Sequence, residues 1–309
     1  MYMYLPIALT SVNYLVVMGL GLAVGLLSGL FGVGGGFLMT PLLMMIGIPP
    51  TIAAATDANQ IVAASASGTI SHWRLGNVDF KMGLYLLIGG FAGGAGGVQV
   101  IKLLRATGGA DFLIKMTYVV MLGGVGSFMF VESLNAMRKT KKASVTAAPA
   151  AAPKKKKGGF FAALPMQTYF EKSGVTHSAL VPLFLGTFVG VLAAIMGVGG
   201  GFLMVPVMIY MLRMPMHVVV GTSLFQILFT CIEVTYLQAY SNHTVDFILA
   251  IILLVGSVFG AQIGTVLGRK LHGDQLKILL SIIVLAVTVK IVLELVMEPS
   301  ILLSYAGGH

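Results

Sequence analysis

The decapeptide Gly32-Val33-Gly34-Gly35-Gly36-Phe37-Leu38-Met39-Thr40-Pro41 recurs as Gly197-Val198-Gly199-Gly200-Gly201-Phe202-Leu203-Met204-Val205-Pro206, with nine of ten residues identical at an offset of 165. Both copies lie inside long apolar stretches. A triple glycine there breaks a membrane helix and bares backbone amides where hydrocarbon offers no hydrogen bonds. Such a break survives only where protein buries it or where it lines a polar cavity. Two breaks in corresponding halves of a chain are the sequence pointer to a transporter's binding site.

Composition agrees. The chain is 57% apolar and 9% charged, with a mean hydropathy of +0.97, against about 25% charged residues in soluble domains. Apolar runs long enough to span a bilayer recur along it, so it reads as a polytopic membrane protein. The net charge of +9 does not point to nucleic acid. Much of the excess sits in one lysine-rich stretch and the rest near span ends, where it fixes topology and meets anionic headgroups of membrane lipids. Cys231 is the single cysteine, which excludes an internal disulfide and a thiolate metal site. The start of the chain, Met1 to Pro6, has no basic region, so the apolar run after it reads as a first membrane segment and not a cleaved leader.

The duplication extends past the glycines. Gly21, Gly25 and Gly29 match Gly186, Gly190 and Ala194; Pro50 matches Pro215; Thr56 and Gln60 match Thr222 and Gln226. Val78-Asp79 matches Val245-Asp246, and Gly89, Gly93 and Gly97 match Gly256, Gly260 and Gly264. Three regions follow: a first membrane repeat over 1–133, a basic Ala/Pro/Lys-rich linker over 134–177 and a second membrane repeat over 178–309. The linker holds Arg138, Lys139, Lys141, Lys142 and the run from Lys154 to Lys157. Its composition cannot bury a core.

Helical segments are predicted at about 14–31, 36–48, 51–74, 80–102 and 111–132, and again at 178–195, 201–213, 216–240, 246–268 and 275–297. The first two of each half are together too short for two spans and too long for one. They read as a re-entrant or broken pair with the glycines at its tip, followed by three full spans. The fold class is therefore an all-α integral membrane protein. If each tip pair returns to its starting side, the two halves are inverted. Setting the linker in the cytoplasm then leaves only Lys102, Arg105 and Lys115 outside, which the positive-inside rule favours over parallel repeats. Both termini would then lie outside.

The breaks also have a chemical sign. Helices restart at Phe37 and Phe202, with Pro41 and Pro206 expected near their first turns. A helix N-terminus presents free amides and the positive end of its dipole, so it attracts anions. The candidate substrate-binding groups are the backbone of Gly34, Gly35, Gly36 and Phe37, and of Gly199, Gly200, Gly201 and Phe202. Side-chain donors would come from Asn59, Gln60, Thr222, Ser223 and Gln226. Asp57 and Glu233 are carboxylates inside spans, where acids are costly and mark function, and are the candidate proton-coupling residues. Gln99, Gln262, Thr69 and Thr235 are as well suited to binding helices together as to binding an anion. Lys290 suits snorkelling.

Glycines four apart, at Gly89/Gly93/Gly97 and Gly256/Gly260/Gly264/Gly268, put small residues on one helix face. These faces are expected to join the two halves. Trp73 and Arg74 after His72 read as an interfacial anchor. The glycines do not fit a dinucleotide fingerprint, since Phe37 and Phe202 stand where the last glycine should be. No Ser/His/Asp set, HExxH or paired carboxylates occur, so no catalytic site, metal or cofactor is predicted.

The doubled Gly-x-Gly-Gly-Gly-Phe-Leu-x-x-Pro resembles the signature of the TauE/SafE sulfite exporter family of anion permeases. Thr222-Ser223-Leu224 and His72-Trp73-Arg74-Leu75-Gly76-Asn77-Val78-Asp79 carry the resemblance further. It implies secondary transport of a small anion such as sulfite or an organosulfonate across the cell membrane, often proton-coupled, by alternating access. Other readings stay open: a passive anion channel, a membrane scaffold recruiting partners through the linker, or an embedded enzyme. A homo-oligomer is compatible with all of them. The resemblance has one departure: Asp57 and Ala58 stand where the second half has Ser223 and Leu224, so the two half-sites are expected to differ.

Overall fold

The computed structural model describes residues 2–31, 36–142, 167–268 and 273–297. Each repeat opens with a two-stranded antiparallel hairpin, β1 (Tyr2–Leu5) with β2 (Thr10–Asn13), and β3 (Gln167–Phe170) with β4 (Val175–Ser178). Then come α1 (Tyr14–Phe31), α2 (Gly36–Met45), α3 (Pro50–Arg74), α4 (Phe80–Ala106) and α5 (Ala110–Lys142). The second repeat supplies α6 (Leu180–Met196), α7 (Gly201–Tyr210), α8 (Met216–Leu237, ending in a π turn Gln238–Asn242), α9 (Phe247–Gly268) and α10 (Gly273–Met297). The protein is thus helical and of the membrane class, with the predicted short helix pair in each half. Among the described residues, four helical stretches are long and apolar enough to cross a membrane: Phe80–Ala106, Ala110–Phe128, Val218–Asn242 and Phe247–Gly264. The 25-residue α3 has the length but not the hydropathy. It carries Thr56, Asp57, Gln60, Ser65 and Thr69, all buried by neighbouring helices.

The hairpins correct the expected linker. Helix α5 runs to Lys142 and folded structure resumes at Gln167, so residues 167–177 belong to the second repeat; positions 143–166 lie outside the described residues. The two hairpins are equivalent. Leu5 and Phe170 are both fully buried, and Leu9 (φ +51°) and Gly174 (φ +64°) take the left-handed position of the turn. Strands of four residues are too short to show a period of two in a sequence already dense with apolar residues.

Helix pairing follows the duplication. Helix α1 packs along α9, and α4 along α6. Duplication carries α1 to α6 and α9 to α4, so these are one interface seen from each repeat. The glycine faces make both, as their spacing predicts. A Cβ on Gly93 would strike the backbone of Thr187, and one on Gly260 the backbone of Leu22. Helix α3 packs against its own counterpart α8, and α5 against α10. Both pairs are antiparallel: Gly68 faces Leu224 whereas Gly221 faces His72 and Asn77, and Gly123 faces Thr288 whereas Gly126 faces Val284.

Candidate functional site

The second break is fully described. Helix α6 stops at Met196, and Gly197, Gly199 and Gly200 take φ of +71°, +67° and +76° before α7 starts at Gly201. Only glycine enters that region freely. There is also no room for a side chain. A Cβ on Gly197 would overlap the Ala54 carbonyl of α3, and one on Gly200 the side chain of Val189. A Cβ on Gly199 would fall 2.5 Å from Cys231 Sγ and 2.8 Å from Ile227. In the first break, Gly34 and Gly35 lie outside the described residues. Gly36 opens α2, pressed on Ile61 of α3.

The two breaks meet. Phe37 and Phe202 stack with centroids 4.6 Å apart and planes 16° from parallel, both buried. The N-termini of α2 and α7 are thereby brought together. The prolines lie deeper than expected: Pro41 and Pro206 are each the sixth residue of a ten-residue helix. Each therefore removes an i→i−4 bond and leaves the carbonyl of Phe37 or Phe202 without its helical donor.

The side chains flanking the tips are Ile61, Ile227 and Cys231, a small buried cluster. The polar residues sit next to these on the same helices. Gln60 and Gln226 are buried, each with Oε1 unpartnered; Gln226 Nε2 donates to Thr230 Oγ1 at 2.9 Å. Ser223 Oγ donates to the Val220 carbonyl of its own helix at 3.0 Å. Asn59 is half-buried. Glu233 points its unpartnered Oε2 toward Gly94 of α4. Gln99 and Gln262 are on the exposed face of their helices, and Trp73 is 60% exposed with its ring edge-on to Phe80.

Thr222 also has a structural task. Its Oγ1 accepts from Asp79 N at 3.0 Å, and its counterpart Thr56 accepts from Asp246 N at 3.1 Å. Each aspartate then caps its own helix, Asp79 through Met82 N at 3.0 Å and Asp246 through Leu249 N at 3.1 Å. The second carboxylate oxygen reaches a hairpin turn. Ser173 N (3.1 Å) and Ser173 Oγ (2.5 Å) donate to Asp79, and Ile7 N (3.3 Å) donates to Asp246. Two latches result. Each ties a central helix of one repeat to an outer helix of the other, and to the hairpin that opens the central helix's repeat.

Asp57 is fully buried on α3. Thr40 Oγ1 donates to its Oδ2 at 2.9 Å, and Oδ1 has no partner. The Met196 carbonyl, freed where α6 ends, lies 3.5 Å from Thr40 Oγ1 and accepts from Tyr118 OH at 2.5 Å. A Cβ on Gly36 would come within 3.5 Å of Asp57 Oδ2. Asp57 therefore lies between the two breaks. Sequence reasoning missed Thr40, Tyr118 and Met196. The available signal was Thr40 itself, the single mismatch, against Val205, in the repeated decapeptide.

A duplicated helical chain with paired broken helices meeting in its interior is the architecture expected of a membrane transporter. The chain belongs to the sulfite exporter TauE/SafE family, whose model matches residues 17–291. It is similar to "Probable membrane transporter protein YunE" of Bacillus subtilis (strain 168), 26% identical over 91% of this chain and 98% of that one. "Probable membrane transporter protein YjnA" of the same organism is 28% identical over 88% of this chain and 97% of its own length. "Sulfite exporter TauE/SafE family protein 3" of Arabidopsis thaliana is 32% identical over 34% of this chain and 24% of that protein. No solved structure matches the chain.

Proposed function

We propose that this membrane transporter is a secondary carrier for a small anion, sulfite or an organosulfonate. The anion binds between the two glycine breaks, and rocking of two inverted repeats exposes it to either side in turn. The observation that carries this reading is the Phe37–Phe202 stack, which holds the N-termini of α2 and α7 together in the interior. Those termini supply free amides and positive dipole ends without a fixed cation. The binding groups are the amides of Gly34 to Phe37 and Gly199 to Phe202, supplemented by Asn59, Gln60, Ser223 and Gln226. Thr222 belongs to this set as well, since accepting from Asp79 N leaves its own O–H as a donor. The stacked rings close the site, so binding requires them to part.

Inversion is supported by the antiparallel run of α3 against α8 and of α5 against α10. A parallel repeat would set each such pair side by side in one direction. With the basic linker in the cytoplasm and both termini outside, the positive charges fall on the inner face of the cell membrane. Coupling is to a proton, carried by Glu233, or by Asp57 if its cluster binds no other cation. Flux of sulfite and of simple alkylsulfonates into proteoliposomes, with and without a pH gradient, tests the reading. A pH gradient should drive uptake. Undiminished flux in a folded Gly200→Leu variant would place the site elsewhere.

A further inference from the structure

Four groups converge where α6 ends: Asp57, Thr40, Tyr118 and the Met196 carbonyl. All are at most 2% exposed. They offer five oxygens and only two protons. Tyr118 gives its proton to the Met196 carbonyl, and Thr40, with a single O–H, gives its own to Asp57 Oδ2. The 3.5 Å contact between Thr40 and the carbonyl then has no proton in it, and Asp57 Oδ1 has no partner. Among the described residues no Lys or Arg pairs with Asp57; the ion pair present is Lys290–Glu294. The C-terminal end of α6 adds the negative pole of its dipole.

A cluster so poor in donors is short of positive charge. We propose that it is a sodium site, with Asp57, Thr40, Tyr118 and the Met196 carbonyl as ligands. A helix broken in mid-membrane supplies this kind of carbonyl to a coupling ion. A proton answers the deficit less well. Placed on Oδ2 it would be donated to Thr40, which would pass its own to the Met196 carbonyl across 3.5 Å, and Oδ1 would still have no partner. A metal ion held by several acids or imidazoles does not fit either, since the cluster has one carboxylate and no histidine or thiolate. Sodium matches one carboxylate among neutral oxygens.

The site also lies beside Gly36, so it adjoins the proposed anion position. An anion there is repelled by Asp57 until a cation neutralises it, which couples the two ligands. This last step rests on the transport reading; the sodium site does not.

Binding of radiolabelled sodium to the purified full-length protein, with no sulfur anion present, is the test. Saturable binding is expected, undisturbed by potassium or choline. Asp57→Asn should abolish it, and Tyr118→Phe should weaken it about tenfold through loss of one oxygen contact. Failure to bind sodium saturably overturns the site. So does unchanged affinity in Tyr118→Phe, a variant that keeps the ring's packing and remains informative if Asp57→Asn does not fold. Thermal stabilisation that follows pH and ignores sodium would assign the cluster to a proton instead. Sodium binding without anion flux sinks the transport reading alone. Anion flux without sodium binding sinks the site alone.

Discussion

The two latches and the two breaks teach opposite lessons about the same duplication. The latches are near copies: Thr222 with Asp79 and Thr56 with Asp246 bond at 3.0 and 3.1 Å. The surroundings of the breaks are not copies. Around the second break, the first repeat contributes Thr40 and Asp57; their counterparts around the first break are Val205 and Ser223. What the repeats share holds the halves together, and where they differ the interior becomes chemically one-sided. A carrier that recognised its cargo through backbone amides alone would have little selectivity, because amides set the sign of the charge and not its identity. On the proposed reading, selectivity and coupling reside in the unequal side chains.

The largest effect should come from the geometry that the second break needs. Gly200→Leu puts a side chain at φ +76° and into Val189. The backbone strain costs roughly 1–3 kcal/mol, and overpacking adds roughly 1–3 kcal/mol. Loss of flux is expected, with a lower melting temperature in detergent. Gly19→Ala is the control, since nothing lies within 4 Å of a Cβ there.

Next comes a comparison of the latches. Asp79→Ala removes a helix cap worth about 0.5–2 kcal/mol and orphans both Ser173 donors. Asp246→Ala removes the same cap but frees only the 3.3 Å contact from Ile7. Asp79→Ala should therefore lower the melting temperature more. An equal loss would mean that the hairpin contacts add nothing.

Smaller again is Thr40→Val, which makes the first decapeptide identical to the second. Asp57 loses its donor, at a cost of about 1–3 kcal/mol for an unsatisfied buried group. Val205→Thr, the reciprocal change, places a hydroxyl opposite Ser223 and not a carboxylate, and should not restore what Thr40→Val removes. Melting curves of the two variants and their double mutant would measure this asymmetry. If the two single changes had equal effects, the breaks would be equivalent after all.

Most of this architecture was legible in the chain. The apolar runs and the doubled decapeptide located ten helices to within a few residues at most ends, because lipid forces long, regular helices. Glycines four apart marked the interfaces of α1 with α9 and α4 with α6, because close approach needs small residues. The site was legible only in part. Spacing marked Gly36, Phe37 and Gly199 to Phe202 as one locus, but it could not say that Ile61, Ile227 and Cys231 line it. Those are ordinary apolar residues whose role is decided by which helix turns toward the tip. Thr222 shows a related ambiguity: a hydroxyl in a span looks the same whether it meets a ligand or another helix's first amide. The hairpins escaped because two apolar strands of four residues carry almost no periodic signal. The mismatch at Thr40 was visible throughout, and a duplicated sequence should be read for its departures as closely as for its identities.

The smallest effect sharpens the comparison most. Ser173 Oγ donates to Asp79 Oδ2 at 2.5 Å, whereas the corresponding residue of the first hairpin, Ala8, has no hydroxyl to offer Asp246. Ser173→Ala makes the two latches alike in side-chain donors and leaves the Ser173 backbone bond in place. A charged acceptor makes the lost bond worth about 1.5–3 kcal/mol at most, less whatever the backbone amide retains. The expected result is a modest drop in melting temperature with full expression. If the linker-side latch must open for the carrier to release its cargo inward, the same change should raise the rate of that step. Cysteine labelling of a residue beneath the latch, in a background with Cys231 replaced, would read it directly. A lower melting temperature with unchanged labelling would make the extra bond a matter of stability alone and leave the latches functionally equal.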